Sequence, residues 1–331
     1  MPAAVPVLPG RLLSEVSRSF SLTLRVLPTA VRFQIGLAYL LARTSDTIAD
    51  TGHATCAQRL SALHQFRDAV ASGGSQRVDF TLLASSQTSP AEQALLLRAN
   101  ESLGLLRAVS SEDLQLMRRV LNTIVCGQMD DVRRFDLQGG LRALSTAAEL
   151  DAYTHAVAGC VGEFWTELTL LHCMSRRDCP EGFIEQGIRF GKGLQLVNVL
   201  RDIPADLRNG RCYLPQDELE RAGLNPEALR DPAHWPRVRP VFDAWRAKAD
   251  DHLRMGSQYV LAIPFGQYRL RLACALPLLM GWATLDLLRN ANPLQPEPRL
   301  KISRARVRRI LADTTWRLPF RTAWGKLFTR P

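Results

Sequence analysis

Two segments of the chain set a pair of aspartates four residues apart within a helix-like pattern: Asp46-Thr-Ile-Ala-Asp50 and Asp202-Ile-Pro-Ala-Asp206. Residues i and i+4 share a helix face, so two carboxylates there repel by about a few tenths of a kcal/mol unless something offsets the repulsion. A hard divalent cation held by oxygen ligands would do so. One copy of this spacing is more often a solvated acidic face, here with Arg43 pairing Asp46 from three residues back. The second copy and its surroundings change that weighting. Gln195, Asn198, Asp202 and Asp206 step by three, four and four, which on one helix makes a stripe of two amides and two carboxylates. Amides on an inward stripe need partners, and a hydrated Mg²⁺ with a diphosphate would supply them. The alternative is a capped helix end with surface charges. Arg201 and Arg211 flank the stripe as anion clamps, and Pro204, between the aspartates, predicts a kink.

Upstream, Tyr39 and Arg43 lie one turn apart on the helix that carries Asp46 and would line one cavity wall. Ser17-Arg18-Ser19-Phe20, taken alone, is an ordinary helix start. Metal-binding carboxylates together with several arginines suit a substrate with a diphosphate leaving group, because cations stabilise the charge that builds on the departing oxygens. Apolar and aromatic walls would suit its organic half.

The elements that must hold these residues are helical. The 331 residues, 46% of them hydrophobic, suffice for one large domain or two modest ones. Apolar residues recur at helical spacing, as in Leu37, Leu40, Leu41, Thr44 and Ile48, over residues 12–60, 90–126, 140–176, 181–203, 238–261 and 267–290. Alternating strands are nearly absent, so the pattern predicts an all-α fold of eight or more helices. Breaks at 72–90, 136–140, 207–240 and 292–299 read as surface loops on one body.

Of the net charge of +10, residues 299–331 contribute ten Lys or Arg against one acid, Asp313, leaving 32 bases and 31 acids elsewhere. That distribution excludes a generally basic, nucleic-acid-coating domain, and no nucleic-acid partner is expected. Seven cysteines without a Cys-x-x-Cys pair read as reduced and mostly buried, which suits the cytosol. The Met-Pro-Ala start shows no secretory pattern, and the charge-free run Leu272–Leu285 is too short for a bilayer. The expected location is cytoplasmic, at most peripheral on a membrane face.

Four blocks in order carry a family resemblance: Ser17-Arg18-Ser19-Phe20; Tyr39 through Arg43 to Asp46-Thr-Ile-Ala-Asp50; Tyr153-Thr-His-Ala-Val-Ala-Gly159-Cys-Val-Gly162; and Gln195-Leu-Val-Asn198-Val-Leu-Arg201-Asp202 through Gly210-Arg211-Cys-Tyr213-Leu-Pro215. They resemble the squalene/phytoene synthase family of head-to-head isoprenyl diphosphate synthases. The resemblance implies a single-domain all-α isoprenoid synthase bundle around a central apolar cavity, with residues 1–298 as the catalytic domain and 299–331 as a basic, aromatic tail. It implies farnesyl diphosphate as substrate and Mg²⁺ held by Asp46, Asp50, Asn198, Asp202 and Asp206. Ser17, Arg18, Ser19, Tyr39, Arg43, Gln195, Arg201 and Arg211 would position the diphosphates. Tyr153 matches a tyrosine proposed to help move the proton lost on cyclopropane closure. An ordinary phenol titrates at about 10, so a merely cavity-lining role stays open.

Pro277-Leu-Leu-Met-Gly-Trp-Ala-Thr284-Leu, followed by Arg299-Leu-Lys301-Ile302-Ser303-Arg304, is more similar to the squalene-forming branch. There, presqualene diphosphate is reduced with NADPH, and Lys301 and Arg304 would meet the cofactor's phosphates. Ala49, Leu278 and Ser303 depart from residues usual in that branch. Synthases that stop at presqualene diphosphate or make dehydrosqualene or phytoene without a reductant are the alternative, and a noncatalytic membrane-associated assembly factor is a distant one.

Other chemistries find less support. The six histidines form no zinc pattern, Asp151 and His155 read as a helix-start ion pair, and Gly191-Lys-Gly193 lacks the third glycine of a dinucleotide loop. In the tail, Trp316, Phe320, Trp324 and Phe328 recur every four residues among basic side chains, an interfacial amphipathic pattern that would lie on an anionic membrane face. The competing reading packs these aromatics onto the body. Oligomeric state is left open.

Overall fold

The computed structural model describes residues 8–17, 20–135 and 140–329. Its contacts divide the chain into two units, Met1–Arg134 with Glu167–Cys173 and Phe135–Thr166 with Met174–Pro331.

In the first unit, α1 (Gly10–Ser17), α2 (Phe20–Val26) and α3 (Thr29–Ala49) occupy what the periodicity reads as one helical run. Pro28 at the N-cap of α3 separates α2 from α3, as a residue without a backbone donor does most readily at a helix start. Leu37, Leu40, Leu41, Thr44 and Ile48 are all fully buried on one face of α3. Each buried leucine contributes about 1.5–3 kcal/mol. Thr44 is tolerated there because its hydroxyl donates to the carbonyl of Leu40 at 2.9 Å. A capping box of Thr55 and Gln58 starts α4 (Cys56–Ala71). The short helices α5 (Thr81–Ser85), α6 (Pro90–Leu97) and α7 (Ala99–Gly104) follow, and α8 (Ser111–Arg134) packs on α3 and α4. Buried Asp113 on α8 is satisfied by Gln34 Nε2 at 3.0 Å and by His172 Nε2 at 2.6 Å.

The second unit begins with a two-residue parallel ladder in which β1 (Arg142–Ala143) pairs with β2 (Arg211–Cys212). Then come α9 (Ala147–Thr154), a π-helical turn (His155–Gly159), and α10 (Cys160–His172), of which Cys160–Thr166 belongs to this unit. α11 (Phe183–Arg201) is packed by α14 (Trp235–Ala262), by the π-helical turn and by α15 (Tyr268–Arg289), while α12 (Ile203–Arg208) and α13 (Gln216–Arg221) lie between α11 and α14 in sequence. Glycines let α11 approach its neighbour. A Cβ added at Gly162 would sit 2.0 Å from the carbonyl oxygen of Gly187, and one at Gly191 would sit 2.2 Å from that of Ala158.

Several expectations need revision. The loop expected over 207–240 contains α13 and the start of α14, with Pro236 in the first turn and Pro240 inside the helix. Asp151 pairs with Lys192 at 2.7 Å and with Lys248 at 3.6 Å, not with His155. All seven cysteines are free, yet only Cys160, Cys212 and Cys274 are buried. Burial pushes those three thiols up to about 12, so they are inert core residues. α15 extends beyond the charge-free run at both ends and is long and apolar enough to cross a membrane, but 67% of its apolar window is buried inside the protein.

The tail forms α16 (Arg304–Arg317) and α17 (Arg321–Gly325). Ile310 joins a cluster with Leu276 and Ala283 of α15.

Candidate active site

In the first unit, Asp46 and Asp50 stand at the C-terminal end of α3, where the Asp50 amide donates to the Asp46 carbonyl at 2.9 Å and preserves the four-residue spacing. A helix C-terminus is a poor place for carboxylates. Arg43, one turn back, partly offsets this by pairing Asp46. The same guanidinium reaches Glu92 of α6 at 2.5 Å. Burial alone would lower the pKa of Arg43, but Asp46 and Glu92 outweigh it and hold the group above its usual value. Tyr39 donates to the Val16 carbonyl at 3.3 Å, which fixes its phenol on α1.

In the second unit, the stripe predicted for one helix is broken. α11 ends at Arg201, Asp202 takes the cap position with φ −100° and ψ 12°, and α12 restarts at Ile203 with Pro204 in its first turn. Pro204 cannot donate to Leu200, so the ladder lapses there. The spacing of the acids nevertheless survives, since the Asp206 amide donates to the Asp202 carbonyl at 3.0 Å.

Asp202 is held by two guanidiniums, Arg201 at 2.5 Å and Arg299 at 2.8 Å. Burial pushes its carboxyl up, but these two arginines dominate and keep it below the usual carboxylate range. Asp206 and Arg211 line the same small cavity. Arg211 is positioned by its strand pairing with Arg142, after a turn at Gly210 whose φ of +73° favours glycine.

The amides are partnered within the protein. Gln195 Nε2 donates to the Tyr153 hydroxyl at 3.3 Å, and Asn198 Nδ2 donates to Gln195 Oε1 at 3.4 Å. Tyr153 also stacks on Tyr213, with ring centroids 4.5 Å apart, and Tyr213 meets the edge of Phe135. Tyr153 precedes the π-helical turn by two residues, and such turns are frequent at functional sites.

The structure thus joins Tyr153, Gln195 and Asn198 in one hydrogen-bonded group, and Arg201 with Asp202. Lys301 and Arg304 are exposed, just before and at the start of α16. Arg18 and Ser19 lie outside the described residues, as does the side chain of Ser17. Two partners escaped the sequence reading, Glu92 and Arg299. Glu92 is distant in sequence from Arg43, and Arg299 is 97 residues from Asp202, so helical spacing could not connect either pair.

The donor set suits Mg²⁺, which takes one or two carboxylates, keeps several waters and completes its octahedron with phosphate oxygens. Among the described residues no group of three or more acidic, histidine or cysteine side chains forms an all-protein cage. Each aspartate pair offers the one or two carboxylates that such an ion takes.

A presqualene diphosphate synthase of Zymomonas mobilis is 30% identical over 244 residues, 72% of this chain and 71% of that protein. The bifunctional lycopene cyclase/phytoene synthase of Gibberella fujikuroi is 30% identical over 132 residues, 39% of this chain, and the match spans 23% of that longer protein. Among solved structures, TcSQS in complex with a ligand aligns with a TM-score of 0.77 over 96% of each chain at 20% identity, a likeness of fold. The fold is the all-α isoprenoid synthase fold. A family model for squalene/phytoene synthase matches residues 13–306, and the chain belongs to that family.

Proposed function

We propose that the chain is a Mg²⁺-dependent prenyltransferase that joins two farnesyl diphosphates head to head into presqualene diphosphate and reduces this with NADPH to squalene. Members of the family are prenyltransferases that condense prenyl diphosphates, and that condensation is Mg²⁺-dependent. One observation carries the reading for this chain. Asp202 and Asp206 keep their spacing across the break at Pro204, while Arg201, Arg211 and Arg299 gather around them. Carboxylates for a metal and guanidiniums for phosphate oxygens are the two halves of a metal-diphosphate site.

When bound, Mg²⁺ would neutralise the leaving diphosphate and ease its departure. Arg201, Arg211 and Arg299 would hold the oxygens of a diphosphate at Asp202 and Asp206, and Arg43 would hold those of a diphosphate at Asp46. Gln195, fixed by Tyr153 and Asn198, would orient the substrate. The Tyr153 hydroxyl would help move the proton lost when the cyclopropane closes, passing its own proton on to the released diphosphate as it takes up the new one. A second reading stops before the reduction. It is favoured by the exposure of Lys301 and Arg304, the residues assigned to NADPH.

Purified protein incubated with farnesyl diphosphate and Mg²⁺, with and without NADPH, tests both readings by mass spectrometry of the extracted products. Squalene formed only with NADPH is the expected result. Presqualene diphosphate or dehydrosqualene regardless of NADPH selects the second reading, and no turnover of farnesyl or geranylgeranyl diphosphate sinks both.

A further inference from the structure

The four tail aromatics divide in the folded chain. Trp324 and Phe328 turn inward, with 2% and 7% exposure, and meet edge to face at 5.2 Å. Trp316 and Phe320 stay outside at 76% and 54%, with ring centroids 6.3 Å apart. Large exposed aromatics in a water-soluble surface need a reason.

A cavity of about 340 Å³ opens between the α14–α15 turn and α17. Its lining includes Leu261, Phe265, Arg271, Arg321 and Trp324. The guanidinium of Arg271 lies 4.3 Å from the ring of Phe265 and 4.3 Å from that of Trp324, and Arg321 lies 4.7 Å from Phe265. Arg271 is 3% exposed, and neither arginine meets a carboxylate among the described residues. Burial and, secondarily, Arg321 lower the pKa of Arg271 to about 10, so it stays charged at neutral pH.

Arg271 Nη1 donates to the Phe265 carbonyl at 3.4 Å, and the two aromatic rings lie against its guanidinium, but no acid neutralises this buried cation or the second one beside it, an arrangement that favours an anion between them. The indole N–H of Trp324 is also buried without a hydrogen-bond partner. Arg271, Arg321 and Trp324 thus line one cavity together with Leu261, which is 47% exposed, and Phe320 immediately precedes Arg321 in the chain. The surrounding tail holds ten basic residues against one acid.

We infer that this cavity binds the phosphate headgroup of an anionic phospholipid, with Trp316 and Phe320 inserted into the membrane surface around it. A free phosphate ion would use the cavity but leave the aromatic pair unexplained. An anionic bilayer uses both, with aromatic rings at headgroup level and tail cations drawn to the surface charge.

Co-sedimentation of the full chain with phosphatidylcholine vesicles, with or without phosphatidylglycerol, tests the inference. Binding to the anionic vesicles alone is expected. Trp316→Ala with Phe320→Ala should weaken it about tenfold or more. Arg321→Gln should weaken it at least about tenfold, as loss of a charge-assisted phosphate contact does. Arg309→Gln, an exposed change that is not part of the cavity lining, should cost only about fivefold. All these side chains are exposed, so circular dichroism should show unchanged helicity in each variant.

No binding to anionic vesicles, or binding indifferent to the aromatic pair, overturns the membrane assignment. Equal losses for Arg321→Gln and Arg309→Gln overturn the headgroup cavity in favour of diffuse charge. If inorganic phosphate raises the melting temperature through Arg321 while vesicles fail to bind, the cavity is a free-phosphate site. A dimer in light scattering without vesicles, lost in the aromatic variant, assigns the face to a second copy of the chain.

Discussion

At the scale of single residues, the acids of the site are not idle before any ligand arrives. Asp46 is paired by Arg43, and Asp202 by Arg201 and Arg299. A metal or diphosphate must therefore exchange partners with these arginines, which can pass from carboxylate to phosphate without losing their hydrogen bonds. Asp46→Ala or Asp202→Ala should lower diphosphate release about 10²-fold or more, with helical circular dichroism unchanged. Wild-type turnover in either variant would remove that aspartate from the metal shell. Arg299→Gln should change unfolding free energy by less than about 1 kcal/mol, because its side chain is 53% exposed and solvent screens the pair. A urea titration checks this, and a loss well above that bound would mean that Arg299 holds the fold rather than the site.

At the scale of elements, the buried face of α3 was legible because apolar spacing of three and four maps directly onto a helix surface. The interruption at Pro204 was equally legible, since proline's missing donor is a local property. The close approach of α11 to the π-helical turn and α10 was not, because it depends on Gly162 meeting Gly187 and Gly191 meeting Ala158 across separate segments. Gly162→Ala should destabilise by about 1–3 kcal/mol through overpacking against backbone. Gly104→Ala, with nothing within 4 Å of the added Cβ, should be neutral or slightly stabilising. Thermal denaturation of the two variants separates the cases.

His252 on α14 makes a second element-scale prediction. Its ring accepts from Arg189 of α11 at 3.2 Å, and it lies near Lys192, Lys248 and Asp151. Burial first, then those cations, lower its pKa to about 4, below the usual value of about 6.5. The unfolded chain binds the proton more readily, so this contribution is complete above about 6.5 and is lost as pH falls towards about 4. His252→Gln should flatten that acid-side decline in urea unfolding, and an unchanged slope would reject the assignment.

At the scale of the whole molecule, the tail is the part least legible in the sequence. Its four-residue aromatic repeat suggested one continuous face, but Leu318, Pro319 and Phe320 separate α16 from α17 and turn Trp324 and Phe328 inward. Which ring faces solvent follows from Phe265 and Arg271 on distant segments, not from the repeat itself. Ile310 and Trp324 bury against α15 and the α14–α15 turn, so truncation after residue 298 should lower the melting temperature by several degrees. A calorimetric scan matching the full chain would show that the tail is energetically independent.

The contact between Arg299 and Asp202 adds a thermodynamic constraint. Arg299 stands five residues before α16, so the start of the tail is tied to an acid assigned to the metal site. If ligand uptake at Asp202 releases Arg299, and the tail's hold on a surface depends on where Arg299 sits, the two equilibria are linked and the linkage is reciprocal. Mg²⁺ with inorganic pyrophosphate would then shift the vesicle affinity by the same factor by which vesicles shift the affinity for pyrophosphate, and Arg299→Gln would set that factor to one.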